Sequence, residues 1–249
     1  MPENRKRPID PLDWIYPPIC EICGCGLSNG RALCETCSED LPKIASPFCE
    51  VCGESFQGQI DGSFDCPNCN QVSFNFEFAL AALDRSDEAL QLVHRLKYGK
   101  EIHLAGELGK LAAGALGDRR FSAAMEERWP LVPVPLHRSR QRERQFNQAE
   151  EIALSISKET ELPIGNLLKR VRRTVTQTRL SRKQRMDNLK GAFAVRRCWF
   201  AKNPVASLEA LGVILVDDVF TTGSTVDACA KVLRNAGVRR VAVLTVLRG

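Results

Sequence analysis

Residues Val213 to Thr225 restrict the fold of this chain more than any other stretch. The run Val213-Ile214-Leu215-Val216 is short, apolar and rich in β-branched residues, the pattern of a buried strand. Asp217 and Asp218 close that strand. Thr221, Thr222, Gly223, Ser224 and Thr225 follow, and Val226 to Asn235 reads as a helix. In an open α/β sheet, ligands sit beyond the carboxyl ends of the strands. A loop that enters a helix offers free backbone N–H groups and the positive end of the helix dipole, which together hold a phosphate. Gly223 lets the backbone come close, and the hydroxyls add donors. The two aspartates repel that phosphate, so they suit sugar hydroxyls or a magnesium ion a few ångströms away.

A second constraint lies at the other end. Of eleven cysteines, eight form four C-x-x-C pairs before residue 70: Cys20/Cys23, Cys34/Cys37, Cys49/Cys52 and Cys66/Cys69. In a reducing compartment this spacing means metal rather than disulfides. Each set of four has the spacing of a tetrahedral Cys₄ zinc ribbon. Neighbouring pairs give two sites, and a cross-braced pairing satisfies the spacing equally well. The region is too small and polar to bury a sufficient core, so two structural zinc ions would supply folding energy on the order of 10 kcal/mol each. Four cysteines per ion leave no open position for catalysis. Cys25 reads as a spare thiol, and Cys198 and Cys229 as ordinary small residues of a second domain.

The net charge of +5 is unevenly spread. Arg138 to Arg144 carries +3 and Lys169 to Lys190 carries +8, so the rest of the chain sums to −6. The first cluster, with Arg140, Arg142 and Arg144, reads as a loop between the strand-like run Trp129 to Pro135 and a helix from Ala149 to Lys158. Guanidinium pairs bidentately with phosphate oxygens, so this is a phosphate or pyrophosphate grip. The second cluster, with Arg182 and Arg185, reads as a basic loop closing over an anion. No apolar run approaches the roughly 20 residues of a membrane span. Pro8 to Cys20 holds no continuous apolar segment, so we expect no secretory signal and a cytoplasmic protein.

Around the acidic pair the chain resembles the 5-phosphoribosyl-1-pyrophosphate (PRPP) motif of type I phosphoribosyltransferases. The wider pattern is more specific. Four C-x-x-C knuckles precede Val132-Pro133-Val134-Pro135-Leu136-His137 with Arg140, Arg142, Arg144 and Phe146-Asn147-Gln148. Arg170, Thr174, Gln177, Leu180-Ser181-Arg182, Arg185, Asn188 and Gly191-Ala192-Phe193 come next, and then Val216 to Thr225. Together these resemble the ComF family, the competence-associated phosphoribosyltransferase-like proteins.

The resemblance implies an N-terminal arm and double zinc ribbon over residues 1–73. A type I phosphoribosyltransferase domain would occupy 74–249, an open, mainly parallel sheet with helices on both faces. It implies that Asp217 and Asp218 hold the ribose of PRPP with magnesium, that Thr221 to Thr225 hold the 5-phosphate, and that Arg140, Arg142, Arg144, Arg182 and Arg185 neutralise pyrophosphate. It also implies a link to DNA uptake, with single-stranded DNA and a competence helicase as partners. Gln145 stands where the family usually has glycine, Arg138 where proline is common, and Asp84-Arg85 where an aromatic residue is usual. The enzymes of 6-oxopurine salvage carry a proton-accepting aspartate where this chain has Thr221, which argues against that substrate class. Three functions fit: transfer of phosphoribosyl to an acceptor, non-catalytic sensing of PRPP, and an accessory role on single-stranded DNA.

Overall fold

The computed structural model describes residues 18–27, 31–56, 66–70, 72–174, 184, 188–196 and 212–249. Four strands form one parallel sheet: β1 (Phe78–Leu83), β2 (Leu131–Pro133), β5 (Gly212–Phe220) and β6 (Arg240–Arg248), in the order β1-β6-β5-β2. Strands β3 (Leu168–Arg170) and β4 (Phe193–Val195) pair antiparallel as a separate ribbon. The helices are α1 (Glu35–Asp40), α2 (Asp87–His94), α3 (Leu104–Ala115), α4 (Ser122–Glu126), α5 (Arg138–Arg144), α6 (Gln148–Thr160) and α7 (Ser224–Asn235).

The central strands are apolar over Val213–Val216 and Val241–Leu244 because both faces are covered there. Alternate residues of a strand point to opposite faces. Ile214, Val216, Ala242 and Leu244 join one core with residues of α2, α3 and α6. Val213, Leu215, Val241 and Val243 join the other with α7, Leu168 and Phe193. Short β2 carries the proline-rich run at an edge of the described sheet, where a missing N–H is tolerated.

The cysteine region seals the opposite edge. Ile44 N–H donates to Ala82 O (3.1 Å), Asp84 N–H to Pro42 O (2.7 Å) and Ala79 N–H to Val51 O (2.8 Å). An exposed parallel edge would otherwise template aggregation. Gly53, at φ +68°, makes the approach possible: a Cβ there would stand 3.0 Å from Ala79 O. Polar anchors complete the joint. Arg31 meets buried Glu107 at 2.9 Å, and Arg95 pairs with both Glu21 and Glu101.

Ser86 caps α2, its side chain accepting from Ala89 N–H. One local expectation changes. The arginine-rich segment expected as a loop is helix α5, started by His137, whose side chain accepts from Ser139 N–H. Alternating Arg and Gln are good helix formers, which an electrostatic reading of the segment overlooks. The helix ends at Gln145 in a left-handed conformation, φ +74°, that glycine adopts without strain. Most of the second basic cluster, including Gln177, Leu180, Ser181, Arg182 and Arg185, lies outside the described residues, as does Cys198.

Candidate ligand-binding cleft and metal centres

The sheet delivers the acidic pair to its carboxyl edge. Asp217 and Asp218 lie near the end of β5, and the chain turns through 221–223 into α7. Gly223 sits at φ +74°, and a Cβ there would approach Phe220 to 2.7 Å, so the turn requires glycine. The N-cap of α7 is Gly223, which has no side chain to cap it. The backbone hydrogen bond from Asp227 N–H to Gly223 O (2.8 Å) opens its ladder, ahead of which lie the first-turn amides of Ser224, Thr225 and Val226. Thr222 Oγ1 and Ser224 Oγ are 2.9 Å apart. Thr221, Thr222, Gly223, Ser224 and Thr225 together line a small hollow of about 20 Å³ that Asp217 also borders.

Beside this hollow opens a cleft of about 240 Å³. Asp217, Asp218, Thr221 and Thr225 form one wall, and Arg140 and Arg144 another. Arg142 is exposed and does not line it, because its neighbours on α5 take the inward face. Arg182 and Arg185 fall outside the described residues.

Several cleft residues carried no assignment from sequence. Lys97 Nζ stands 3.0 Å from Asp218 Oδ1, with both side chains largely buried. It comes from a π-helical turn, Arg95–Gly99, that continues α2. Such a wider turn re-aims side chains and is frequent at functional sites. Tyr98, on the same turn, is 60% exposed, with the Arg144 guanidinium 5.1 Å from its ring centroid. Gln148 is buried; its Oε1 accepts from Arg144 (3.0 Å), and its Nε2 has no partner among the described residues. Arg170 also lines the cleft, lies over Phe193 and donates to Thr174 Oγ1. Burial, with Arg140 close by, lowers its pKa. The clue to Gln148 and Arg170 was their place in the quoted motifs; Lys97 and Tyr98 had none.

Asp217 is half-buried by surface area, yet protein surrounds enough of its carboxyl that burial is the leading cause of its pKa rising to about 7. The neighbouring Asp218 adds to the rise, and Lys97 and the Asp218 N–H (2.9 Å) oppose it. The cleft therefore sets cations and hydroxyls around one acid that titrates near neutrality. It is chemically matched to a polyanion with a neighbouring diol.

The cysteines form two clusters from neighbouring pairs, Cys20/Cys23/Cys34/Cys37 and Cys49/Cys52/Cys66/Cys69, which rules out cross-bracing. In each, the ligand atoms lie within 4.8 Å of one another. A tetrahedron with metal–sulfur bonds of about 2.3 Å has edges of about 3.8 Å. The separations Cys23–Cys34 (3.8 Å), Cys49–Cys69 (3.8 Å) and Cys52–Cys66 (3.7 Å) match. The residues fit two structural zinc ions. A third group, Glu21, Glu101 and His103, is already bridged by Arg95, so it reads as an ion-pair network.

Fold and clefts thus define a phosphoribosyltransferase-type domain behind a double zinc ribbon. A family described as phosphoribosyl transferase domain matches residues 133–249, and one described as double zinc ribbon domain matches 11–72. The chain is 31% identical to Competence protein F of Haemophilus influenzae, over 86% of this chain and 89% of that protein. It is 26% identical to DNA utilization protein YhgH of Escherichia coli K12, over 93% and 97%. It is 24% identical to Competence protein ComFC of Bacillus subtilis, over 90% and 91%. The chain belongs to the ComF family of phosphoribosyltransferase-like proteins.

Proposed function

We propose that this protein binds PRPP and transfers its phosphoribosyl group to an acceptor, as a cytoplasmic component linked to DNA uptake. One observation supports the reading above the others: an acidic pair, a helix N-terminus entered through Gly223 with its hydroxyl-lined hollow, and two arginines all border adjoining concavities. In this proposal Thr221 to Thr225 hold the 5-phosphate through hydroxyls and first-turn amides. Asp217 and Asp218 hold the ribose hydroxyls. Arg140, Arg144 and Lys97 meet the pyrophosphate, with Arg182 and Arg185 as further contributors. Magnesium, when bound with PRPP, would help the pyrophosphate to leave as the sugar gains oxocarbenium character. The protein's share is positioning and charge stabilisation. Residues 1–73 would act as arm and ribbons, and 74–249 as the transferase unit. Among the described residues no helix is long and apolar enough to cross a membrane.

The link to DNA rests on the names of the relatives, Competence protein F and DNA utilization protein. Single-stranded DNA and a competence helicase enter as partners on that ground. Phe146 and Phe193, the aromatics of the basic segments, pack into the two cores, which disfavours a free-standing single-strand binder that needs stacking platforms.

The test is calorimetric titration with PRPP and magnesium, followed by a pyrophosphate-release screen across bases and nucleic acids. Asp217→Asn and Asp218→Asn should abolish turnover at constant zinc content. Binding without pyrophosphate release under every acceptor would turn the reading to a PRPP sensor; absence of binding would end it.

A further inference from the structure

The second cysteine cluster and the phosphate-loop hollow share one buried side chain. Arg248 ends β6 and is 4% exposed. Its Nη1 donates to the carbonyl oxygens of Phe220 (2.9 Å), Thr221 (2.9 Å) and Gly249 (2.8 Å). Its Nη2 pairs with Glu54. Glu54 belongs to the third knuckle, since its carbonyl accepts from Cys49 N–H (2.8 Å). On the other side the guanidinium lies 5.1 Å from the Phe220 ring centroid, and that ring is the surface against which Gly223 turns. A continuous line of contacts runs from the metal cluster through Glu54 and Arg248 to the first residues of the phosphate loop.

We propose that Arg248 is a positioning residue through which the second zinc ribbon sets the phosphate loop, so that affinity for a sugar 5-phosphate depends on the Glu54–Arg248 pair. The proposal rests on the sugar-phosphate reading of the cleft. One nitrogen of the planar fork meets the three carbonyls while the other meets Glu54, a two-ended grip that a lysine ammonium does not reproduce. The Glu54 carboxylate holds that fork in place and offsets its burial. The ribbon then has a task beyond sealing the sheet edge: it supports the loop from behind.

The experiment uses the full zinc-loaded chain with ribose 5-phosphate and magnesium pyrophosphate as separate calorimetric probes. Glu54→Gln and Arg248→Lys should each weaken ribose 5-phosphate by about ten-fold, equivalent to about 1.4 kcal/mol. Both should leave pyrophosphate affinity unchanged, because Arg140, Arg144 and Lys97 are untouched. Glu35→Gln, on the exposed side of the first cluster, should bind both probes as the wild type does. Amide exchange in Glu54→Gln should quicken over 220–225 while α6 keeps its protection. If wild type and both variants bind ribose 5-phosphate equally, or if pyrophosphate affinity falls in parallel, the Arg248 proposal is overturned alone. If the wild type takes up no ribose 5-phosphate, the cleft reading falls and takes this coupling with it.

Discussion

Replacing Asp217 by Asn should make the protein more stable and less able to bind, with a pH signature of its own. An aspartate whose pKa stands at about 7 in the fold, against an ordinary value of 3.8, holds more protons folded than unfolded between those limits. Stability then falls as pH rises through that window, because the unfolded chain ionises first. With 1.36 kcal/mol per tenfold change in proton affinity, keeping the carboxylate costs about 4 kcal/mol at pH 8 and about 2 kcal/mol at pH 5. Asn retains the oxygen that accepts from Asp218 N–H and carries no charge. Its advantage over wild type should therefore grow by about 2–3 kcal/mol from pH 5 to pH 8. In a chain of this length that corresponds to a gain in Tm that widens by roughly 5–10 °C. Differential scanning fluorimetry of both proteins across that range, at fixed zinc content, measures it. Calorimetry with ribose 5-phosphate and magnesium should show binding lost in the same variant. A Tm difference that is flat with pH, or a less stable variant at pH 8, would refute the argument.

Other perturbations test separate parts of the structure. Lys97→Met leaves largely buried Asp218 without its counter-charge and should lower stability by about 2–3 kcal/mol in urea unfolding. Adding Asp218→Asn should recover most of that loss, and an additive pair would contradict direct contact. Binding of magnesium and ribose 5-phosphate should weaken as pH drops below 7 and should release a proton near pH 7, read from titrations in buffers of different ionisation enthalpy. Gln145→Gly removes a non-glycine residue from φ +74° and should raise stability by about 1 kcal/mol, seen as a higher Tm. Chelating zinc should release the cover from the β1 edge, so light scattering should climb after chelator addition; a clear solution would show that the edge does not depend on the ribbons.

Much of the molecule is legible from short-range pattern. The strand before Asp217, the hydroxyl loop and α7 are contiguous, and their chemistry is complete within thirteen residues of sequence. The zinc ligands are likewise announced by spacing, because a C-x-x-C turn is a local object. Pairing of the knuckles was undecided, since both arrangements satisfy the same spacings and only the folded chain separates them. The arginine segment misled in conformation, because its charge drew attention from its helix propensity. Its cleft-facing pair, Arg140 and Arg144, was separable from Arg142 only once α5 was oriented.

The rest belongs to tertiary structure. Lys97 reaches Asp218 because a π-turn redirects it across the cleft from another element, and one lysine in a stretch that also holds Arg95, Lys100 and Glu101 carries no mark of that. Glu54 and Arg248 stand 194 residues apart and meet only because the ribbons close over the sheet. Sequence alone singled out the clustered cysteines and most of the residues proposed for phosphate chemistry, since those groups lie close along the chain. The fold decided which charges face one another, since sheet order and edge closure are set by the summed packing of distant segments and leave no periodic trace.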